Sequence, residues 1–418
     1  MDVLFISPLA ILIIASVIGF FMAYGIGAND VANAMGTSVG SKAITLKQAI
    51  IIAAIFEFLG AYLAGGEVTS TIRKGIVDPQ IYADNVNIFI IGMLSSLLAA
   101  GTWLYLASIN GWPVSTTHSI VGAIVGFVLI SKGASYVSWD TVIEIASSWV
   151  TSPIISGVFA FLLYLSARKL ILERTNPIQA SISIIPIYSF FVTVVISLVT
   201  ARKGLKHVGI NWTDNEIYIY LFTIILSLLV SIITAIFLNK NASKIKSNGV
   251  ESAFAILMVV TACAMAFAHG SNDVANAIGP LAAIVSVVSS DGVIESSSSL
   301  NSWVLLLGAV GIVTGLAILG KNVIKTVGEK ITKLTPSLGF SANMATATTV
   351  VAATYLGFPI STTHTLVGGV IGVGLANGVG ALDINSIKKI FLSWIVTIPA
   401  GAIFTILYYV FLRFIFSV

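Results

Sequence analysis

Charged side chains are scarce in this sequence. Only 9% of its 418 residues are Asp, Glu, Lys or Arg, whereas hydrophobic residues make up 57%. Soluble domains carry about 25% charged residues, so the composition excludes an ordinary soluble protein. Apolar stretches of about 20 residues recur along the chain, and this is the length of a helix that crosses a bilayer. The sequence therefore predicts an all-α polytopic membrane protein.

Cysteine is nearly absent. The single Cys263 excludes an internal disulfide and argues against a thiolate metal site. The formal charge of +4 could suit nucleic acid in a soluble protein, but here the basic residues are interpreted as topology determinants. The first apolar run is one of about a dozen, so it is interpreted as a span rather than a signal peptide. We expect a lipid bilayer around the chain and no nucleic-acid partner.

Two polar segments occur twice in this apolar chain. Residues 27–36 read GANDVANAMG, and residues 270–279 read GSNDVANAIG, 243 residues later. Residues 113–118 read PVSTTH, and residues 359–364 read PISTTH, 246 residues later. We call them the NDVAN segments and the STTH segments. Polar residues in lipid are costly and usually functional, so this duplication indicates a transporter with its site between two repeats.

Hydrophobic patterning predicts eight full spans and two re-entrant helical hairpins. The spans are predicted at residues 4–26, 47–65, 139–166, 182–200, 216–238, 251–269, 302–320 and 389–414. The hairpins are predicted at 87–131 and 341–377, with an STTH segment at each tip. The arm after His118 has about 13 residues, roughly 20 Å of helix, which is shorter than the ~30 Å hydrocarbon core.

The chain is predicted to be an inverted-topology repeat with broken helices. Residues 1–166 form the first repeat, 251–418 the second, and 167–250 a connector with two transmembrane helices. Five full spans separate the starts of the repeats, and this odd number turns the second upside down. We expect the protein in the cell's inner (cytoplasmic) membrane. The positive-inside rule places 14 of the 21 Lys and Arg residues on its cytoplasmic side and both termini on its outer side.

The NDVAN segments offer hard oxygen ligands. Asp30 and Asn33 would share one helix face, and the flanking glycines would let the helix unwind and expose backbone carbonyls. Such oxygens suit a small hard cation such as Na⁺. The predicted metal ligands are Ala28, Asn29, Asp30 and Asn33, and in the second copy Ser271, Asn272, Asp273 and Asn276. The alternative is helix capping, which two copies with eight of ten identical residues disfavour because capping also tolerates Ser, Thr or Gly.

The STTH segments predict an anion site. Proline suits the first turn of a helix, so the hydroxyls would lie beside free backbone N–H groups at a helix N-terminus. The predicted phosphate ligands are Ser115, Thr116 and Thr117 with Ser361, Thr362 and Thr363. The alternative is that these hydroxyls bond back to carbonyls of their own helices. No Lys or Arg lies in an apolar run near these segments, so an anion needs bound cations beside Asp30 and Asp273, and this predicts symport.

Four further ionisable residues lie in or near this polar core. His118, His269 and His364 are interpreted either as neutral hydrogen-bonded braces or as proton relays. Glu57 is an intramembrane carboxylate, and a gap-free match of the repeats puts it opposite Ile312. Glu57 is therefore predicted to be unpaired by symmetry and to form an additional cation or proton site.

The doubled NDVAN and STTH segments resemble those of the inorganic phosphate transporter (PiT) family. The resemblance covers both repeats and implies that Asp30 and Asp273 are the carboxylates essential for transport and sodium binding. It also implies phosphate at the STTH segments, a homodimer, and a match of Glu57 to a transport-sensitive glutamate of the eukaryotic carriers. The chain departs from those carriers at Asn343, where they have Glu, and it lacks their large central cytoplasmic domain.

The function expected is therefore sodium-coupled symport of inorganic phosphate, with Na⁺ as coupling ion and no organic cofactor. Proton coupling and sulfate as substrate are alternatives within the same family. A membrane enzyme with a Ser or Thr nucleophile is a third alternative, but near-identical sites on both repeats fit symmetric binding better than one nucleophile. A passive channel is the fourth, and it would give flux without a coupling stoichiometry.

Overall fold

The computed structural model describes residues 4–204, 212, 215–294, 300–330, 334–378 and 383–418. Helix dominates these residues, and no strand occurs among them. The α-helices there are α1 (Pro8–Gly40), α2 (Leu46–Ala64), α3 (Gly66–Ser70), α4 (Val86–Ile109), α5 (Thr116–Ser131), α6 (Trp139–Ala167), α7 (Pro177–Val199), α8 (Glu216–Lys240), α9 (Ala242–Asn248), α10 (Glu251–Asp273), α11 (Ala275–Ser289), α12 (Ser302–Ile318), α13 (Gly320–Lys330), α14 (Pro336–Tyr355), α15 (Thr362–Asn377) and α16 (Ile384–Phe416).

The helical pattern confirms the all-α polytopic class. Eight helices in the described residues are long and apolar enough to cross a membrane, and α12 and α13 pass the same test together with a 64° bend between them, as in a broken span or a re-entrant loop. Each predicted hairpin corresponds to a longer helix followed by a 16-residue helix: α4 with α5, and α14 with α15. The re-entrant course of these pairs stays a prediction.

The predicted break in the first NDVAN segment is wrong. The helix α1 runs for 33 residues without interruption and contains the whole segment. In the second copy α10 ends at Asp273 and α11 begins at Ala275, yet the intervening Val274 keeps helical angles of φ −56° and ψ −31°. The polar residues therefore project from wound helices in both copies.

The glycines of the segments serve close packing instead of unwinding. Gly27 lies against the carbonyl oxygen of Ile312, and Gly270 lies against that of Glu57, so a Cβ at either position would overlap backbone atoms. The helix α12 contributes a glycine to the same contact, because Gly315 lies against the carbonyl of Tyr24 in α1. Glycine here allows the axis of α1 to approach α12, and that of α10 to approach α2, more closely than any side chain permits.

Helices from the two ends of the chain are interlaced. The helix α1 packs on α12, and α2 packs on α10. The short helices are exchanged too, because α5 packs on α16 and α15 packs on α6. The helices α7 and α8 pack on each other at the side of α10, and α8 exposes apolar side chains along most of its length. This interlacing brings the N-termini of α5 and α15 to the second half of α1 and to the junction of α10 and α11.

Candidate functional site

Each STTH segment folds as an extended stretch followed by a helix start. Ser115 and Ser361 have extended backbone angles and are the N-caps of α5 and α15. Their hydroxyls accept hydrogen bonds from the amides of His118 at 3.2 Å and His364 at 3.3 Å. An N-cap of this kind satisfies one of the free amides of the first turn. The threonines that follow therefore lie in the first turn, at the positive end of each helix.

The first tip is the start of α5 at Thr116 and Thr117, and both NDVAN segments bind to it. The hydroxyl of Thr116 donates to Asp30 Oδ2 at 2.8 Å. The amide nitrogen of Asn276 donates to Thr116 at 3.3 Å and to Thr117 at 3.2 Å. The first tip is thus bonded to the aspartate of the first segment and to the asparagine of the second.

The second tip has the mirror arrangement. The hydroxyl of Thr362 donates to Asp273 Oδ2 at 2.7 Å. The amide nitrogen of Asn33 donates to Thr363 at 2.8 Å and to Thr362 at 3.4 Å. Every residue of the two networks is at most 3% exposed. The structure therefore brings Asp30, Asn33, Asp273 and Asn276 together with both predicted tips in one buried cluster.

The tips also touch each other. The hydroxyl of Thr117 donates to the carbonyl of Ile360 at 2.9 Å, and that of Thr363 donates to the carbonyl of Val114 at 3.3 Å. Neither threonine bonds back to its own helix, in contrast to Thr365, which donates to the carbonyl of Ser361. Thr116 and Thr362 donate to aspartates instead, so the back-bonding alternative does not describe these four threonines in this structure.

The first asparagine of each NDVAN segment holds the chain just before a tip. The amide of Asn29 donates to the carbonyl of Trp112 at 2.9 Å, and its oxygen accepts from the amide of Val114 at 3.0 Å. Asn272 donates to the carbonyl of Phe358 at 3.1 Å and to Thr354 at 3.0 Å. These side chains position the tips, so in this structure Asn29 and Asn272 lie beside the cluster as supports.

Ala28 and Ser271, the other predicted ligands, lie within wound helix. The hydroxyl of Ser271 donates to the carbonyl of Ala268 at 2.8 Å, and both predicted ligands are buried. Asn343, the departure from the eukaryotic pattern, accepts a hydrogen bond from Thr37 and donates to Ser38 at 3.3 Å. It therefore joins α14 to the end of α1 that follows the first segment.

His269 is the functional residue that sequence reasoning left without a partner. Its Nε2 lies 3.1 Å from Asp273 Oδ2 and 3.8 Å from Asp30 Oδ2, and its Nδ1 lies 3.2 Å from Glu57 Oε1. One fully buried imidazole thus stands among three carboxylates. The i,i+4 spacing of His269 and Asp273 was the sequence signal that could have indicated one of these contacts.

The pair of Glu57 and His269 breaks the symmetry of the site. The offset of 243 residues relates His269 to Ile26, and Glu57 corresponds to Ile312. The contact between α2 and α10 therefore carries an ionisable pair where the matching contact between α1 and α12 carries isoleucines. Glu57 thus has no symmetry counterpart, as predicted, but it has a spatial partner, His269, that the sequence did not indicate.

Several buried oxygens of the cluster accept no hydrogen bond from the described residues. They are Oδ1 of Asp30, Oδ1 of Asp273 and Oδ1 of Asn276. Ligand atoms of Asp30, His269 and Asp273 lie within 4.8 Å of one another. A buried carboxylate oxygen without a donor is costly, and a hard cation is the ligand that such oxygens prefer. The donor set fits Na⁺ better than a soft metal, because all but one of its atoms are oxygens.

The second NDVAN segment also contains a backbone carbonyl that lacks its usual helical donor. Pro280 lies inside α11 and has no amide hydrogen, so the carbonyl of Asn276 cannot accept from the residue four positions later. The corresponding position in α1 is Thr37, which keeps its amide. Neither copy unwinds, so the expectation of carbonyls exposed by unwinding is wrong, and Pro280 removes the i+4 donor in one copy only.

Comparisons with known proteins identify the family to which the chain belongs. Residues 26–405 match the model of the phosphate transporter family. The chain is 51% identical over 413 residues to a "Putative phosphate permease" of Haemophilus influenzae, covering 97% of each chain. It is 42% identical over 413 residues to "Inorganic phosphate transporter 2-1, chloroplastic" of Arabidopsis thaliana, covering 93% of this chain and 70% of that protein. A solved structure, "The sodium-dependent phosphate transporter", is similar with a TM-score of 0.86 and 39% identity, covering 97% of this chain and 100% of that one. The chain therefore belongs to the phosphate transporter family.

Proposed function

We propose that the protein is a sodium-coupled symporter that carries inorganic phosphate across the cytoplasmic membrane. The observation that carries this proposal is the crossed network, in which each tip is bonded to the aspartate of one NDVAN segment and the asparagine of the other. Family membership makes the chain a phosphate transporter and not an enzyme. Sodium coupling is also supported by the similar solved structure, which is named as a sodium-dependent phosphate transporter.

Phosphate is proposed to bind where the two tips meet. The hydroxyls of Thr116, Thr117, Thr362 and Thr363 and the first-turn amides of α5 and α15 would donate to its oxygens. Two helix N-termini then add positive potential from both sides. Ser115 and Ser361 contribute as N-caps that hold the first turns, since their hydroxyls already accept from His118 and His364.

Sodium ions are proposed to bind at the carboxylates beside the phosphate. The unpartnered side-chain oxygens of Asp30, Asp273 and Asn276 would be ligands, together with the backbone carbonyl of Asn276, which lacks its usual donor at Pro280. Asn33 would hold the second tip beside these ions through its bond to Thr363. Neither charge is stable alone in a buried site without Lys or Arg, so cation and anion would bind together. This mutual requirement is the physical basis of obligatory coupling.

The architecture proposed for transport is the inverted repeat, with residues 1–166 and 251–418 as repeats and 167–250 as connector. The exchanged pairs of α5 with α16 and α15 with α6 support it, because each short helix is held by the last helix of the other repeat. We also propose cytoplasmic basic loops, external termini and a homodimer, as expected from the sequence.

Proton coupling is the second candidate, and one observation favours it. His269 lies among Asp30, Asp273 and Glu57, an arrangement that can hold a proton as readily as a cation. Sulfate is a further candidate substrate, because hydroxyls and amides recognise any tetrahedral oxyanion.

Uptake of radiolabelled phosphate into proteoliposomes distinguishes these candidates. An inward Na⁺ gradient is compared with a matched proton gradient, with sulfate as competitor. Na⁺-driven uptake that sulfate does not reduce is the expected result. Uptake driven only by protons would reassign the carboxylates as proton carriers, and sulfate competition at equal concentration would show that the tips recognise tetrahedral charge alone. Phosphate flux without either gradient dependence would indicate a passive channel.

A further inference from the structure

A ladder of four aromatic rings follows the two tips. We call it the ring ladder: Trp149, His118, His364 and Trp394, in spatial order. Their successive ring centroids are 3.8, 4.4 and 3.4 Å apart. The histidines belong to the first turns of α5 and α15, and the tryptophans belong to α6 and α16. The ring ladder thus links both tips through direct contact of their histidines.

Each histidine of the ring ladder is also bonded to a tryptophan carbonyl. His364 Nδ1 lies 3.1 Å from the carbonyl oxygen of Trp149, and His118 Nδ1 lies 3.3 Å from that of Trp394. A carbonyl can only accept, so Nδ1 of each ring carries the hydrogen and donates it. The first bond joins α15 to α6, and the second joins α5 to α16.

A proline makes one of these bonds more important than the other. In a helix the carbonyl of Trp149 would accept from the amide of residue 153, but Pro153 lies inside α6 and has none. His364 supplies the missing donor. In α16 the residue four positions after Trp394 is Ile398, which has an amide, and Pro399 comes one position later. Without His118 the carbonyl of Trp394 therefore still has a helical donor within reach.

We infer that His364 and, to a lesser extent, His118 are positioning residues of the phosphate site. This inference rests on the proposed function. Each ring lies in the first turn whose threonines face the other tip, so a bond from the ring to a neighbouring helix fixes the rotation of that turn about its axis. The two tips are then aimed at each other by bonds made outside the binding cluster. The bond of His364 replaces the amide that Pro153 lacks, and its loss removes this donor from the partly buried carbonyl of Trp149.

Phosphate uptake by four single variants and two double variants tests the inference. His364→Phe keeps an aromatic ring and removes the donor, whereas His364→Asn keeps a donor near the position of Nδ1 and removes the ring. The same two substitutions at His118 are the matched controls. Pro153→Ala restores an amide to residue 153, so it is added to His364→Phe and, separately, to His118→Phe.

We expect His364→Phe to raise the phosphate KM by about tenfold, because the carbonyl of Trp149 loses the donor that replaces the missing amide of Pro153. His364→Asn should recover most of this loss, and His118→Phe should raise the KM less than His364→Phe does. The added Pro153→Ala should bring the KM of His364→Phe back toward wild type and leave that of His118→Phe where it was. The half-saturating Na⁺ concentration, measured as equilibrium binding of ²²Na⁺ without phosphate, should not change in any variant.

Equal KM increases at the two histidines without rescue by Pro153→Ala would overturn the inference, and so would an unchanged KM in His364→Phe. If the wild-type protein takes up no phosphate, the proposed function fails instead. The thermal melting of the purified variants then tests the bond itself. His364→Phe should lower the melting temperature and Pro153→Ala should restore it, and the absence of this rescue would again refute the role of Pro153.

Discussion

At the scale of single residues, the site is built from side chains that have two tasks. Asp30 accepts from Thr116 through Oδ2 and keeps Oδ1 without a donor, and Asp273 does the same with Thr362. One oxygen of each carboxylate thus accepts from a tip, and the other has no donor and is the oxygen proposed to bind a cation. The residue types could be predicted from the sequence because they occur in two nearly identical copies. The partner of His269 could not, since Glu57 lies on a different helix and has no counterpart in the other repeat.

Asp30→Asn and Asp273→Asn should each abolish coupled phosphate uptake. The amide removes the negative charge that stabilises a bound cation, but it retains an oxygen that can accept from the threonine. Uptake into proteoliposomes, with size-exclusion profiles as the measure of folding, checks this outcome. The exposed Asp140→Asn is the control, because it removes the same charge at the start of α6. Wild-type uptake by either buried variant would refute the cation assignment.

Thr116→Val and Thr362→Val should weaken phosphate binding more than sodium binding. Each substitution keeps the shape of the side chain and removes one hydroxyl, so phosphate affinity should fall by about tenfold. Sodium affinity measured without phosphate should change less, since the unpartnered aspartate oxygens remain. Equilibrium binding of radiolabelled phosphate and of ²²Na⁺ separates the two effects. If both affinities stay at their wild-type values, the tips have a structural role only.

At the scale of helices, glycine decides where the polar residues lie. The sequence suggested that glycines unwind the NDVAN segments, whereas the structure uses them to press α1 against α12 and α10 against α2. Composition could not separate the two uses, because both need the absence of a side chain. The caps Ser115 and Ser361, in contrast, follow from a helix start that proline and serine indicate locally. Local sequence signals were therefore sufficient to predict the helix starts at the tips, whereas the conformation of the NDVAN segments depends on tertiary contacts.

Gly27→Ala should destabilise the protein more than Gly25→Ala. A Cβ at residue 27 would overlap the backbone carbonyl of Ile312, whereas one at residue 25 would meet the side chain of Leu104, which can move. Forcing two helices apart costs about 1–3 kcal/mol. Thermal melting of the purified variants in detergent measures the difference. Equal melting temperatures would show that the contact between α1 and α12 tolerates a side chain.

The pair of Glu57 and His269 should be more costly to break than to replace. Either single change to isoleucine leaves a buried ionisable group without its partner, at a cost of about 3–5 kcal/mol. The double change gives α2 and α10 isoleucine at both positions, as α1 and α12 have at the matching positions Ile26 and Ile312. The double variant should therefore melt at a higher temperature than either single variant. Additive losses would indicate that the two residues do not interact.

At the scale of the whole molecule, nearly symmetric halves meet at an asymmetric centre. The crossed hydrogen bonds of the tips follow the two-fold relation, whereas Glu57 in the first half and His269 and Pro280 in the second have no counterpart in the other half. The symmetric part suits a tetrahedral anion that both tips approach from opposite sides. The asymmetric part makes the two carboxylates different, so their cations need not bind with equal affinity. Counting spans predicts an inverted orientation of the two halves, but this asymmetry depends on contacts between distant helices that the sequence does not indicate.

The central claim is that cation and phosphate stabilise each other in one buried site. The most direct test is the equilibrium affinity of the purified protein for phosphate, measured over a range of Na⁺ concentrations with choline as replacement. We predict that phosphate binds more tightly as Na⁺ rises, and that saturating phosphate tightens Na⁺ binding by the same factor, as linkage requires. A phosphate affinity that is the same in Na⁺ and in choline would contradict this account.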